Sequence, residues 1–441
     1  MLKQITAIAV ALLLAGPAQA QDAPAETLFT NVRVFDGKGS SLSAPTSVLV
    51  RGNMIAAIGP GAVAGPGATT IDGAGRTLMP GLIDAHWHTT LVRPTPEQAI
   101  FGDLGFTNLL AGAEATATLM RGFTTVRDMG GPSFGLKQAI DTGLVAGPRI
   151  WPAGAMISVT SGHGDFRMMT DLPRDPSTPL PRMEQIGGSR IADSADEVRR
   201  AAREQLMLGA SQIKLTAGGG VSSPHSPLDV STFTPEELKA AVDAATNWGT
   251  YVAVHAYTPV AIRRAIDSGV KVIEHAHLID DATAKYMADK GVWLSSQPFL
   301  AEEPNPFPPG SDQYNKKKSV ADGTAVLFGY VKKHRIRMAW GTDILFSAEQ
   351  ARRQGALLAA MTRWFTPAET LRMATATNGE LLALSGLRSP YVGKLGVVEQ
   401  GAFADLLLVE GDPLADINLV ADPERNFRVI MKDGKIYKNS L

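Results

Sequence analysis

The segment Pro80-Gly81-Leu82-Ile83-Asp84-Ala85-His86-Trp87-His88 puts two imidazoles two residues apart at the end of an apolar run. In a β-strand, residues i and i+2 face the same side, so His86 and His88 point together. Two converging imidazoles can hold one Zn²⁺-like ion. Alone, an H-x-H pair fits a structural role nearly as well. Other runs end in the same way. Tyr251–His255 and Val272–His275 close on histidine, and Met338–Asp343 closes on aspartate. Lys214 lies inside the apolar run Ser211–Leu215. An ammonium there is costly to bury unless it is paired or modified. It can be salt-bridged to a carboxylate, or carbamylated by CO₂ and so turned into an anion bridging two metals. For Lys214 by itself the salt bridge is the plainer reading. Four His, one Lys and one Asp at strand ends together reverse that order.

Such residues need a scaffold that gathers many strand ends. Candidate strands are Leu78–His88, Thr124–Asp128, Arg149–Gly154, Gln212–Ala217, Val252–Ala256, Val272–His275, Val292–Gln297 and Met338–Asp343. Helical stretches between them include Asp193–Leu208, Pro235–Trp248, Thr258–Asp267 and Asp281–Lys290. Eight β–α units over roughly 260 residues match the count and size of a TIM-type (β/α)₈ barrel, whose chemistry sits at the C-terminal ends of its strands. A doubly wound sheet would share the alternation without accounting for the ligand set. The flanks differ. Leu28–Phe35, Thr46–Arg51, Met54–Ile58 and Thr69–Asp72 are strand-like, as are Phe403–Glu410 and Phe427–Lys438, with Asp433-Gly434 as a hairpin turn. The expected organisation is a leader over 1–20, a β-sandwich domain built from 21–79 and 385–441, and the barrel over 80–384.

Composition removes other classes. The 441 residues carry 42 Lys+Arg and 43 Asp+Glu, a formal charge of −1, with 44% hydrophobic residues and no Cys. No basic excess points to nucleic acid or to an anionic membrane. Zero Cys excludes disulfides, thiolate metal sites and a Cys nucleophile. Met1–Ala20 has Lys3, an apolar run from Ile5 to Ala15 too short to span a bilayer, and the small-residue site Ala18-Gln19-Ala20. It reads as a signal peptide, so the expected location is periplasmic or secreted, with no membrane span after its removal.

These motifs resemble the amidohydrolase superfamily over the whole mature chain. Pro80–His88 resembles its first-strand motif and Gly122–Asp128 its second strand. Lys214, His255, His275 and Asp343 fall where its other ligands come. Met373–Asn378 and Gly401–Val409 resemble the helix and returning strand of its β-sandwich. The nearest likeness is to imidazolonepropionase-like members, namely bacterial Xaa-Pro-type dipeptidases and ochratoxin-degrading amidohydrolases. The resemblance implies two divalent metal ions of the zinc type. His86 and His88 would hold the buried metal, and His255 and His275 the exposed one. Lys214, as its carbamate, would bridge both, and Asp343 would bind the buried metal and shuttle a proton. Imidazolonepropionases lack the bridging Lys and use one metal, so Lys214 argues against that reaction. The family match favours His275 over His277 as ligand. It also implies that His163 and Tyr257 contact substrate, although a loop His capping its own backbone is an equal reading of His163. Family members assemble into homo-oligomers, which becomes an expectation here.

From charge, a metal-bridging hydroxide would attack the carbonyl, while Asp343 moves the proton to the leaving nitrogen. Gly218-Gly219-Gly220-Val221 after Lys214 would let substrate approach the backbone, with Gly219 and Val221 in contact. No G-K-S/T follows, so a phosphate loop is not indicated. Ser158–Ile191 and Glu302–Gln313 read as lids. Phe166, Met168, Met169, Phe299 and Trp87 suggest an apolar pocket. Asp84 reads as a structural acceptor, His334 as solvated and His225 as a loop residue. The expected activity is amide hydrolysis of an N-acyl amino acid or dipeptide with a bulky apolar side chain. A lactonase or esterase is the alternative within the superfamily. A metal-binding protein without catalysis would need no proton shuttle.

Overall fold

A computed structural model describes residues 24–175 and 177–441. The leader expected over 1–20 lies outside the described residues. All eight expected barrel strands are present. They run Leu82–Trp87, Phe123–Asp128, Arg149–Pro152, Ile213–Thr216, Val252–Ala256, Val272–His275, Trp293–Ser296 and Met338–Trp340, and neighbouring ladders are parallel. The third strand is broken. Its first half pairs with the second strand, and its continuation Met156–Ser158 pairs with the fourth.

Side-chain alternation sorts the apolar residues into two layers. Ile213, Leu215, Val252, Val254, Ile273, Leu294, Met338 and Trp340 face the helices in one core. Ala85, Tyr251, Ala253, Val272, Trp293 and Ala339 fill the barrel interior with Leu381 and Leu382 beneath them. Each fully buried aliphatic side chain contributes about 1.5–3 kcal/mol. The helices start where the sequence supplies caps. Thr234 and Glu237 form a capping box with Pro235 at the first turn, and Ser194 caps Ala195–Leu208, which ends at Gly209 with φ +101°.

The two gaps in the ring of ladders are bridged by side chains. Between the eighth and first strands there is no ladder. There Asn378 donates to Ile83 O and Trp340 O, both at 2.7 Å, and accepts from Trp340 N at 3.0 Å. One layer higher, Asp84 accepts from Thr342 N, Thr342 Oγ1, Gln354 Nε2 and His86 N. Between the third and fourth strands, Gln212 donates to Asp128 O and Trp151 O. Asn378 follows a π-helical turn, Met373–Thr377.

Both chain ends meet in one further sheet. Its order places the hairpin Phe427–Lys432/Lys435–Asn439 beside Leu406–Val409, then Thr77–Pro80, Glu26–Val34, Thr46–Arg51 and Met54–Ile58, with Thr69–Asp72 also on Glu26–Val34. Asp433 and Gly434 both have positive φ, as the expected hairpin turn requires. Arg149 ties this sheet to the barrel through Asp405 at 3.0 Å and Asp433 at 2.5 Å. No helix among the described residues is long and apolar enough to cross a membrane.

Candidate active site

Local irregularities aim the site residues. A register slip between Asp84 and Trp87 interrupts the ladder of the first strand. It lets His86 and His88 face the barrel mouth although Ala85 faces the interior. Their rings lie 5.3 Å apart. On the sixth strand, alternation turns Glu274 inward and would turn His275 outward. His275 instead adopts φ +75° and Ala276 φ +60°, which swings the imidazole back to 5.0 Å from the ring of His86. Asp343 likewise has φ +56°. Left-handed backbone at a non-glycine residue costs about 1–3 kcal/mol and persists where the surroundings enforce it.

The ligand-type atoms of His86, His275 and Asp343 all lie within 4.8 Å of one another. Asp343 Oδ1 is 3.2 Å from Nε2 of both His86 and His88. The far nitrogens are committed. His86 Nδ1 donates to Glu274 at 2.8 Å and His88 Nδ1 to Gly130 O at 2.9 Å, so each Nε2 lone pair faces inward. His255 donates Nε2–H to Gly219 O at 2.8 Å, and its ring lies 4.5 Å from that of His275. Lys214 Nζ has one polar contact among the described residues, His86 Nε2 at 3.5 Å. Among the described residues no carboxylate lies within salt-bridge distance of this lysine. Burial brings its ammonium down to about 8.

The electrostatics suit a cation. Burial, reinforced at His86 by Lys214, holds His86, His255 and His275 well below the usual histidine range, so they are neutral at pH 7. Burial pushes the Asp343 carboxyl up, but His86, His88 and Lys214 outweigh it and hold Asp343 ionised below the usual carboxylate range. A neutral, inward-facing set of nitrogens beside an ionised carboxylate fits divalent metal.

Around this group, His163 stacks on His255 at 4.4 Å. Its Nδ1 is buried without a partner, so it does not cap its own backbone. Tyr257 packs against His255 and His275. The glycines of the loop have a different neighbour from the substrate expected there. A Cβ on Gly220 would stand 2.0 Å from His163 Nδ1, and one on Gly219 would stand 1.7 Å from Pro227 O. Val221 beside them is half-buried. His277 donates Nε2–H to Gln297 O at 2.9 Å and is outside the metal-type cluster. Trp87 is core rather than pocket. Phe166 and Met168 line a separate cavity of about 80 Å³ with Ile100, Phe101 and Met183. Asp84 is the acceptor expected. His334 is half-buried and paired with Asp281 at 2.8 Å rather than simply solvated.

Four residues of the site carry no assignment from sequence. They are Arg127, Glu274, Gln297, whose amide lies 3.1 Å from His275 Nδ1 and 3.4 Å from Asp343 Oδ2, and Asn378. Arg127 and Glu274 show the same signal as Lys214, a charged residue inside an apolar strand.

The amidohydrolase family matches residues 77–437. Ochratoxinase of Aspergillus niger is 31% identical over 384 residues, spanning 82% of this chain and 75% of that protein. Its crystal structure gives a TM-score of 0.81 at 25% identity, covering 95% of this chain and 96% of the other. The crystal structure of a prolidase complexed with N-methylphosphonate-L-proline gives 0.85 at 33% identity, with 94% and 100% covered. That of an amidohydrolase gives 0.86 at 35% identity, with 94% and 100% covered. With this match and this fold, the chain belongs to the amidohydrolase family and is a hydrolase acting on amide bonds.

Proposed function

We propose that the protein cleaves the amide bond of an N-acyl amino acid or dipeptide carrying a bulky apolar side chain, ochratoxin A among them. The observation carrying this reading is the convergence of His86, His88, His275 and Asp343 around a buried lysine that, among the described residues, has no salt bridge to a carboxylate. The similarity to an ochratoxinase and to a prolidase supports the substrate class.

His86, His88, His255, His275 and Asp343, with Lys214 as its carbamate, would hold two divalent ions of the zinc type. These would supply Lewis acidity toward the substrate carbonyl and acidify water. With its ammonium lowered to about 8, Lys214 has a neutral amine fraction near neutral pH that can add CO₂, forming the N–C bond and releasing a proton. Asp343 is ionised and half open to the mouth, which suits a base that accepts a proton and passes it to the leaving nitrogen. His163, whose Nδ1 is closed off against Gly220, would offer its other ring nitrogen, and Tyr257 a phenol held protonated by burial, as hydrogen-bonding groups for the substrate. Gly219 would act through its carbonyl by orienting His255, and Val221 would border the substrate. Tyr257 and Phe299, the latter against His277, give the site apolar walls. The Met1–Ala20 pattern supports export.

Purified mature protein, supplied with Zn²⁺ and bicarbonate, is incubated with N-acyl aromatic amino acids including ochratoxin A, Xaa-Pro and Xaa-hydrophobic dipeptides, and aryl lactones. Mass spectrometry should report free amino acid from the amides. Lactone opening without amide cleavage would overturn the substrate class. Asp343→Asn should lower amide turnover about 10²–10⁴-fold, and undiminished turnover would remove Asp343 from the reaction.

A further inference from the structure

Arg127 and Glu274 form an ion pair inside the barrel, both without solvent exposure, with Nη2 2.6 Å from Oε1. The other carboxylate oxygen, Oε2, accepts from His86 Nδ1 at 2.8 Å. The remaining donors of Arg127 reach Ala85 O at 2.5 Å and the Tyr251 hydroxyl at 3.2 Å. One guanidinium thus ties the peptide preceding His86, the entry of the fifth strand and the sixth strand to a single point.

Stability alone is a weak reason for such a pair. Replacing a buried ion pair with apolar side chains of similar volume is often neutral or stabilising, whereas removing one partner leaves a costly unpaired charge. The pair has a more specific geometry than a strut requires. Glu274 stands between the guanidinium and the imidazole, with one oxygen committed to each. A carboxylate accepting Nδ1–H leaves Nε2 bare, fixes the ring plane and raises the basicity of the bare nitrogen. That nitrogen is the one facing Asp343 and Lys214. Without Glu274, the nearest fixed charge behind His86 would be a cation, which opposes a second cation in front of it.

We propose that Glu274 and Arg127 are positioning residues for His86. Glu274 selects the tautomer whose Nε2 faces the metal site, and Arg127 holds Glu274 in place and neutralises its charge. This rests on the metal reading of His86 given above.

The test is zinc affinity in metal-stripped wild type, Glu274→Gln and the double variant Glu274→Gln/Arg127→Met, by competition with a chromophoric chelator, with thermal melting of each stripped protein. The double variant removes both charges and leaves none unpaired. It should fold, and its tighter zinc site should weaken about 10–100-fold. A folded double variant with both zinc affinities within about twofold of wild type would overturn the proposal and leave the metal reading intact. Wild type that takes up no zinc would overturn both. If neither variant folds, the ¹⁵N spectrum of stripped, histidine-labelled wild type decides, with His86 assigned by its loss in His86→Gln. A proton on Nδ1 supports the proposal and a proton on Nε2 refutes it.

Discussion

Replacing Gly220 by alanine tests whether His163 belongs to the reacting geometry. Gly220 has no left-handed φ, so alanine brings no backbone strain. The added carbon would stand 2.0 Å from His163 Nδ1, 2.4 Å from Cγ and 2.5 Å from Cε1. To reach an ordinary contact of 3.4 Å, the ring must retreat by about 1.4 Å. Behind it stands the ring of His255, with centroids 4.4 Å apart, so the retreat carries into the histidine cluster. Overpacking of this kind costs about 1–3 kcal/mol of stability. A misplacement near 1 Å can lower turnover about 10²-fold. The assay is kcat/KM on the best amide of the panel, with urea unfolding, for Gly220→Ala, His163→Ala and the double variant. Because alanine at 163 vacates the space, the double variant should regain most of the stability lost by Gly220→Ala. Its activity should stay at the level of His163→Ala, a non-additivity expected only of residues in contact. Gly220→Ala with wild-type kcat/KM would refute the reasoning, as would a double variant whose stability losses simply add.

Other outcomes follow from the same geometry. Lys214→Met keeps the burial but cannot take up CO₂, so turnover should fall by about a thousandfold or more. Stripped wild type should recover activity only when zinc and bicarbonate are supplied together, and recovery in CO₂-free buffer would exclude the carbamate. His275→Ala should lose metal by elemental analysis, while His277→Ala should retain it and lose about 1–3 kcal/mol, because Gln297 O is left without its donor. The carboxyl of Asp84, fully buried, is pushed up to about 6 from 3.8 by burial, against four hydrogen bonds that lower it. A folded value above the unfolded one means that this group's contribution to stability is fully present below about pH 4. It is lost as pH rises through about 6, a span worth roughly 3 kcal/mol. Urea unfolding from pH 4 to 7 should show that slope in wild type and not in Asp84→Asn, and an unchanged slope in the variant would exclude Asp84 as its source.

The legible part of this protein is the part written in periodicity. Strand positions follow from short apolar runs, and the pairing of His86 with His88 follows from a two-residue period. Helices such as Pro235–Asn247 announce themselves by Thr234, Pro235 and Glu237. The two-residue period misleads where the backbone leaves it. Glu274 and His275 are neighbours on one strand and should face opposite ways, yet both reach His86 because His275 takes a left-handed φ that its residue type does not announce. The ligand reading of His275 came from family likeness, not from parity, for this reason. Glu274 and Arg127 carry the same mark as Lys214, a charge in a strand interior, but no local partner assigns them a role. The contact between them spans 147 residues, and that of Glu274 with His86 spans 188. Tyr257, Gly219 and His163 were legible as members of the mouth, but not the crowding that assigns Gly220 to His163 rather than to a ligand.

The clasp between the first and last barrel strands also orders events during synthesis. Asp84 waits for Thr342, 258 residues later, and Ile83 waits for Asn378, 295 residues later. Until a ribosome has delivered Thr342 and Asp343 the first strand lacks the bonds to Asp84 and to His86 O that join it to the eighth, and until it has delivered Asn378 the seam lacks its second clasp. A nascent chain that has not yet reached Asp343 therefore holds the histidines without their carboxylate. On the metal reading proposed above, loading of the site waits for the eighth strand and is a late event rather than a nucleus around which the barrel forms.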